Sequence, residues 1–376
     1  MSASGQRELK DFSACFAGSR LCSAWFSPSF GEARRSASGA KAAAFKRRIF
    51  SRAVKACATA GALSAVLLCG LARPVAAQET HVLVVTGVAG DDEHAERFHK
   101  WASTIVDAAK KRGGVPEANV TYLAEKPDQD PARIRGRSTK ESVEKAFADI
   151  AARARPNDEV FVLLIGHGSF DGRQSAFNLP GPDLTATDYA ALLAKLQTQR
   201  VAFVNTASAS GGFLAALTGP GRTIVTATKT GGERNETRFP SYFVEAFEDN
   251  AADSDRNGRV SVFEAFEYAR TKVAKSYEQQ GLILTEHAAL DDGNQGKLAA
   301  TLFLESDRSR AAAAATIADP ALRALIEQQR ALEDQIGQLK LRQTGMDATQ
   351  YEQQMEKLLV DLAVKTRAIR ELEGKK

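Results

Sequence analysis

The chain has 376 residues, with 50 Lys+Arg against 46 Asp+Glu and four cysteines. All four cysteines (Cys15, Cys22, Cys57 and Cys69) and 12 of the basic residues precede residue 78, so a chain starting at Gln78 has no cysteine, 38 basic and 43 acidic residues, and a net charge of −5. Such a chain excludes disulfides, thiolate metal sites and a cysteine nucleophile, and it removes the electrostatic support that nucleic-acid binding needs.

Residues 1–45 are rich in Ala, Ser, Gly and Arg without core periodicity, and read as an unstructured extension or as a start placed too far upstream. Residues 46–77 read as a signal peptide. Lys46-Arg47-Arg48, Arg52 and Lys55 are basic, Ala56–Ala72 is uncharged and apolar, and Val75-Ala76-Ala77 offers small residues for cleavage. The apolar run is short for a bilayer span, so the expectation is cleavage near Ala77, export to the periplasm or the exterior, and no membrane association of the mature chain. Retention as an anchor is the alternative.

From there strands and helices alternate. His81–Gly87 is an apolar strand, and Asp92–Lys111 carries Phe98, Trp101, Ile105 and Ala108 at helical spacing. Asn119–Leu123 is a second strand. Ser138-Thr139-Lys140-Glu141 reads as a capping box opening a helix with Val143, Phe147 and Ile150. Then come a strand at Val160–Ile165, a helix from Asp188 to Leu196, a strand at Val201–Val204, a short helix and a strand at Thr223–Thr228. The strands are continuous apolar runs, the pattern of strands buried on both faces. The expected fold is α/β: a mainly parallel central sheet with helices on both faces, over residues 78–305.

Within that span Asp253-Ser254-Asp255-Arg256-Asn257-Gly258-Arg259-Val260-Ser261-Val262-Phe263-Glu264 fits a twelve-residue EF-hand calcium loop. Side-chain oxygens come from Asp253, Asp255, Asn257 and Ser261, a main-chain carbonyl from Arg259, and a bidentate carboxylate from Glu264; Gly258 permits the sharp turn. The competing reading is an Asp/Asn-rich surface turn. Two arginines lower the local negative charge, which predicts modest calcium affinity and a structural role.

Residues 306–376 change character. An Ala-rich linker at 308–318 precedes Leu322, Leu325, Gln329, Leu332, Ile336 and Leu339. After a break at Thr344-Gly345 come Tyr351, Met355, Leu358 and Leu362. These heptad-like spacings predict a C-terminal α-helical hairpin or coiled coil, either docked on the domain or used for self-association.

The ends of two strands carry the functional signal. Val160–Ile165 runs into Gly166-His167-Gly168-Ser169, and Val201–Val204 runs into Asn205-Thr206-Ala207-Ser208-Ala209-Ser210-Gly211-Gly212. Open α/β sheets place their sites at the carboxyl ends of strands. This layout resembles the caspase–legumain superfamily of cysteine peptidases, over roughly residues 80–290. The Phe177–Leu184 segment resembles the loop that follows the histidine strand in bacterial members. The resemblance implies that His167 is the acid/base, that the N–H groups of Gly168 and of position 208 form the oxyanion hole, and that a peptide or protein ligand sits in the cleft. Ser208 stands where the nucleophilic cysteine belongs. A serine needs a base within hydrogen-bond reach, itself oriented by a third group, and no motif marks that third group; Asp171 and Asp183 are the nearby carboxylates. The expectation is a peptidase homologue that has lost proteolysis. The alternative is a serine-type peptidase or transamidase using Ser208 and His167. A third reading takes Ser210-Gly211-Gly212 as a phosphate-binding turn.

His94 and His99 are five apart and do not form a helical metal pair. His81 and His287 read as structural or solvated, Ala132–Lys140 as a solvated loop, and Thr228-Lys229-Thr230-Gly231-Gly232 as a segment at another strand end that can line the same cleft.

Overall fold

A computed structural model describes residues 78–248 and 251–374. The expected signal peptide and N-terminal extension lie outside the described residues. Among the described residues no helix is long and apolar enough to cross a membrane.

The core is a seven-stranded sheet. Its strands are β1 (Thr80–Thr86), β2 (Val120–Ala124), β3 (Gly136–Arg137), β4 (Glu159–Ile165), β8 (Arg200–Asn205), β9 (Arg222–Thr226) and β10 (Ala289–Asp291), in the order β10-β9-β8-β4-β1-β2-β3. All neighbours pair in parallel except β10, which runs antiparallel to β9. The continuous apolar runs are explained by burial on both faces. Val82, Val84, Phe161, Leu163, Ile165, Ala202 and Val204 enter one core. Leu83, Val85, Val160, Val162, Leu164, Val201 and Phe203 enter the other. Alternate residues of a strand point to opposite faces, so both registers must be apolar.

Three helices cover the first face: α1 (Asp92–Asp107), α5 (Phe239–Glu245) and α6 (Val262–Gln279). The second is covered by α2 (Lys140–Arg153), α3 (Ala186–Leu193) and α4 (Gly212–Leu217). The side chains of Phe147, Tyr189, Phe203 and Phe213 interlock on that second face without exposure to solvent. Each such ring contributes about 1.5–3 kcal/mol relative to an exposed position.

Several local expectations shift. The cap of α2 is Thr139, whose hydroxyl accepts the Ser142 N–H, rather than Ser138. Ser138 is fully buried and its N–H donates to the Ala124 carbonyl, extending the β2–β3 pairing and keeping it outside the helix. Part of Ala132–Lys140 is therefore strand β3. Helix α3 begins two residues early because Thr185 and Asp188 form a capping box. The Ala-rich segment expected to be a linker is helix α7 (Asp307–Ala315), capped by Ser306. Alanine has the highest helix propensity, and the cap supplies the start.

The C-terminal segment forms α8 (Pro320–Arg342) and α9 (Ala348–Glu373), joined by a single 3-10 turn at Gln343–Gly345. Gln329 Nε2 reaches Thr366 Oγ1 across the pair at 3.5 Å, the pairing of an antiparallel hairpin.

Candidate active site

The site is built at the carboxyl ends of β4 and β8. As β4 ends, the Gly87 N–H donates to the Ile165 carbonyl, and the His167 carbonyl accepts from Asn178. A second, three-stranded sheet then starts at once: β5 (Gly168–Phe170), β6 (Ser175–Phe177) and β7 (Leu184–Thr185). Asp171 caps its first turn, taking the N–H groups of Arg173 and Gln174. Asp183 accepts from the Leu179 N–H. Both carboxylates hold loops, and neither orients His167.

The other half is the turn after β8. Thr206 is pinned to the Leu164 carbonyl through its N–H and hydroxyl, and Asn205 Oδ1 accepts the Ala207 N–H. Ala209 has φ +53° and no solvent exposure, a left-handed conformation uncommon for a residue with a Cβ. It is held there by a 2.7 Å bond from its N–H to the Glu233 carbonyl. Thr228 accepts the Gly211 N–H at 2.9 Å and contacts Ser210 Oγ at 3.2 Å. The Thr228–Gly232 segment thus braces the turn from behind. A Cβ on Gly211 would lie 2.2 Å from the Thr230 nitrogen, so only glycine fits. The Gly211 N–H and the Ser210 hydroxyl turn inward to Thr228, so two of the donors that the phosphate-turn reading would use are already engaged.

The two halves meet at Gly168 and Ser208. Ser208 Oγ accepts from the Gly168 N–H at 3.3 Å and donates to the Gly168 carbonyl at 3.2 Å. A Cβ on Gly168 would come within 2.2 Å of the Ser208 carbonyl oxygen. The Ser208 N–H makes no hydrogen bond among the described residues.

His167 is half-buried and its Nε2 lies 3.2 Å from the Ala89 carbonyl. A carbonyl only accepts, so Nε2 carries the proton and Nδ1 the lone pair in the neutral ring. Among the described residues no hydrogen bond joins His167 to Ser208 and no carboxylate pairs with His167.

One group beside the site carries no sequence motif. The His94 ring packs against His167, centroids 5.0 Å apart, and Phe98 meets the same ring at 5.3 Å. His94 Nδ1 is 2.7 Å from Asp91, and its Nε2 is 3.3 Å from Glu236, which also pairs with Arg97. The hydrogen bond to Asp91 raises the His94 pKa above its ordinary value, with the Glu236 charge acting in the same direction. Spacing three apart at a helix start could have pointed to the Asp91–His94 pair. Glu236 is 142 residues away and has no local signal. Glu236 and Arg97 continue into an open cavity of about 660 Å³ floored by Trp101, Tyr242 and Tyr277. His99 is elsewhere, against Tyr122 and Asp130. His81 is buried beside Asp158, and His287 contacts Glu233.

A second centre is the 253–264 loop. Carboxylate oxygens of Asp253, Asp255 and Glu264 lie within 4.8 Å of one another. Asp253 takes the N–H groups of Asn257 and Gly258, and Gly258 has φ +82°. The Asn257 side-chain oxygen accepts from the Arg259 N–H. Ser261 caps α6, and Glu264 returns a carboxylate to the Ser261 N–H at 3.0 Å. The Arg259 side chain turns away to Glu305 at 2.8 Å. The loop that follows β10 is organised by Asp292, which accepts four backbone N–H groups.

The model of the peptidase C13 family matches residues 88–290. No curated protein matches the chain. Among solved structures the chain is similar to a protein from Geobacter sulfurreducens, at 12% identity and TM-score 0.38, over 57% of this chain and 92% of that one. It is also similar to caspase-1 from Spodoptera frugiperda, at 12% identity and TM-score 0.35, over 57% of this chain and 86% of that one.

Proposed function

The chain belongs to the peptidase C13 family, and from that membership we propose that it is an exported homologue of these peptidases that has lost proteolysis and holds a peptide or protein segment in the former cleft. The observation that carries this reading is the Ser208 hydroxyl, spent on the Gly168 N–H and carbonyl instead of on His167. A serine becomes a nucleophile only when a base takes its proton, and the base is normally held by a third group. His167 is held instead by a main-chain carbonyl and two rings, which orient it but supply no carboxylate.

A serine-type hydrolase is the second reading. It is favoured by the unengaged Ser208 N–H, which suits an oxyanion donor, and by the left-handed turn at Ala209. The deciding experiment incubates the full chain with a fluorophosphonate and calcium, and compares wild type with Ser208→Ala by intact mass. No adduct is expected on either. An adduct on wild type alone would overturn the proposal.

The 253–264 loop is the proposed calcium site. The convergence of Asp253, Asp255 and Glu264 fits a hard cation that takes oxygen ligands. Asn257, the Arg259 carbonyl and Ser261 complete the set that would hold it. Bound calcium would supply positive charge that lets these oxygens share one point. Export follows from the leader, and intact mass of protein secreted from a bacterial host should begin at Gln78.

A further inference from the structure

We propose that the 253–264 loop, when it holds its cation, is the latch that docks the C-terminal helices (residues 307–374) onto the base of the sheet. The inference rests on the calcium reading above.

The loop is fastened to the root of those helices. Ser261 forms an isolated bridge with Phe303, and the Val262 N–H donates to the Leu302 carbonyl at 2.9 Å. The Arg259 guanidinium lies 3.4 Å over the Phe303 ring and pairs with Glu305 at 2.8 Å. The Glu305 carbonyl in turn accepts the Thr80 hydroxyl at the start of β1, and the next residue, Ser306, caps α7. The conformation of loop positions seven to ten therefore sets where α7 begins.

The loop also faces α8. A cavity of about 480 Å³ is walled by Asp255 and Asn257 on one side and by Glu333, Asp334 and Lys340 of α8 on another. The strand starts Thr80, Glu159 and Arg200 line the same cavity. Of the loop carboxylates Asp255 lines this cavity and confronts Glu333 and Asp334 of α8, beside Glu159, Glu305 and Asp307, with Arg200, Arg259 and Lys340 as the opposing charges. A bound dication reverses that balance where it is least screened.

The other contacts that hold the helices down are mainly polar: Arg308 with Glu79, the Ser309 hydroxyl on the Gly114 carbonyl and the Asn294 amide on the Leu341 carbonyl. The buried apolar side chains of α8 and α9 are Leu322, Ile336, Leu339 and Ile369, and α9 packs mainly on α8. Weak apolar anchoring makes docking responsive to local charge.

The test is hydrogen–deuterium exchange of the full chain with calcium or with a chelator, alongside calorimetric titration of calcium. The expected result is calcium binding, together with about tenfold slower exchange in α7 and α8 when calcium is present. Calcium binding with protection confined to residues 253–264 would overturn the latch and leave the calcium site standing. No calcium binding would overturn both. Glu264→Gln should reproduce the chelated pattern in calcium; should that variant fold poorly, the chelator experiment on wild type reads the same quantity.

Discussion

The Ser208 hydroxyl and the Gly168 peptide group close on each other, donor to acceptor in both directions, at 3.3 and 3.2 Å. In the proposed reading this pairing takes up the Gly168 N–H that would serve a tetrahedral intermediate, and the Ser208 proton points to a carbonyl and not to His167. Removing the hydroxyl leaves the Gly168 N–H unpaired in a half-buried site. Ser208→Ala should destabilise the fold by about 1–2 kcal/mol, read by urea unfolding, with no catalytic change.

Ser208→Cys tests whether the thiol is the missing element. A thiolate is nucleophilic without a tightly bound base. Slow peptide cleavage should appear in this variant and vanish when His167→Ala is added. A cleft that stays silent with cysteine has lost more than its nucleophile.

His94 links the start of α1 to Glu236, and its pH dependence has a definite sign. Its folded pKa lies above the ordinary value of 6.5, chiefly through the Asp91 hydrogen bond. The bridge therefore contributes fully below pH 6.5 and is lost as pH rises through the higher folded value. Imidazole proton shifts followed by NMR should titrate above 6.5 in wild type, and Asp91→Asn should bring them down. Titration at or below 6.5 in wild type would mean that the bridge is not formed.

Calcium should raise the melting temperature. A ligand at about 100-fold its dissociation constant adds about 2.7 kcal/mol, or roughly 5 °C for a chain of this size. Scanning calorimetry of wild type should show that rise, and Glu264→Gln should abolish it.

Val360 and Val364, four apart on α9, are 56% and 58% exposed. Apolar side chains at that spacing on one helix face favour pairing with a second copy. Sedimentation should show concentration-dependent association, and Val360→Glu with Val364→Glu should return the chain to a monomer. A wild type monomeric at all concentrations would assign the face no such role.

The sheet was legible because burial on both faces writes itself as runs such as Val160–Ile165. The placement of His167 and Ser208 after two strand ends, and of Asp253, Asp255 and Glu264 in one loop, was legible because each sits in a short local pattern. The β5–β7 sheet was not, since its strands have two or three residues and no periodicity. The α2 cap slipped by one residue because Ser138 and Thr139 are chemically equivalent caps, and only the pairing of Ser138 with Ala124 separates them. Alanine repeats describe a linker and a helix equally well until Ser306 is seen capping them. The His94–Glu236 contact joins the first turn of α1 to a distant loop, and nothing local encodes it.

The cleft lies beyond the carboxyl ends of β4 and β8, whereas the latch cavity is lined by the first residues of β1, β4 and β8. The strands between are almost wholly buried and tightly packed. A peptide bound at one end and a cation bound at the other would share no ligand and no volume, with the packed sheet between them. Their coupling free energy should be near zero, and by reciprocity neither should alter the other's affinity. Calcium would then govern how long the molecule lasts, and the cleft what it holds.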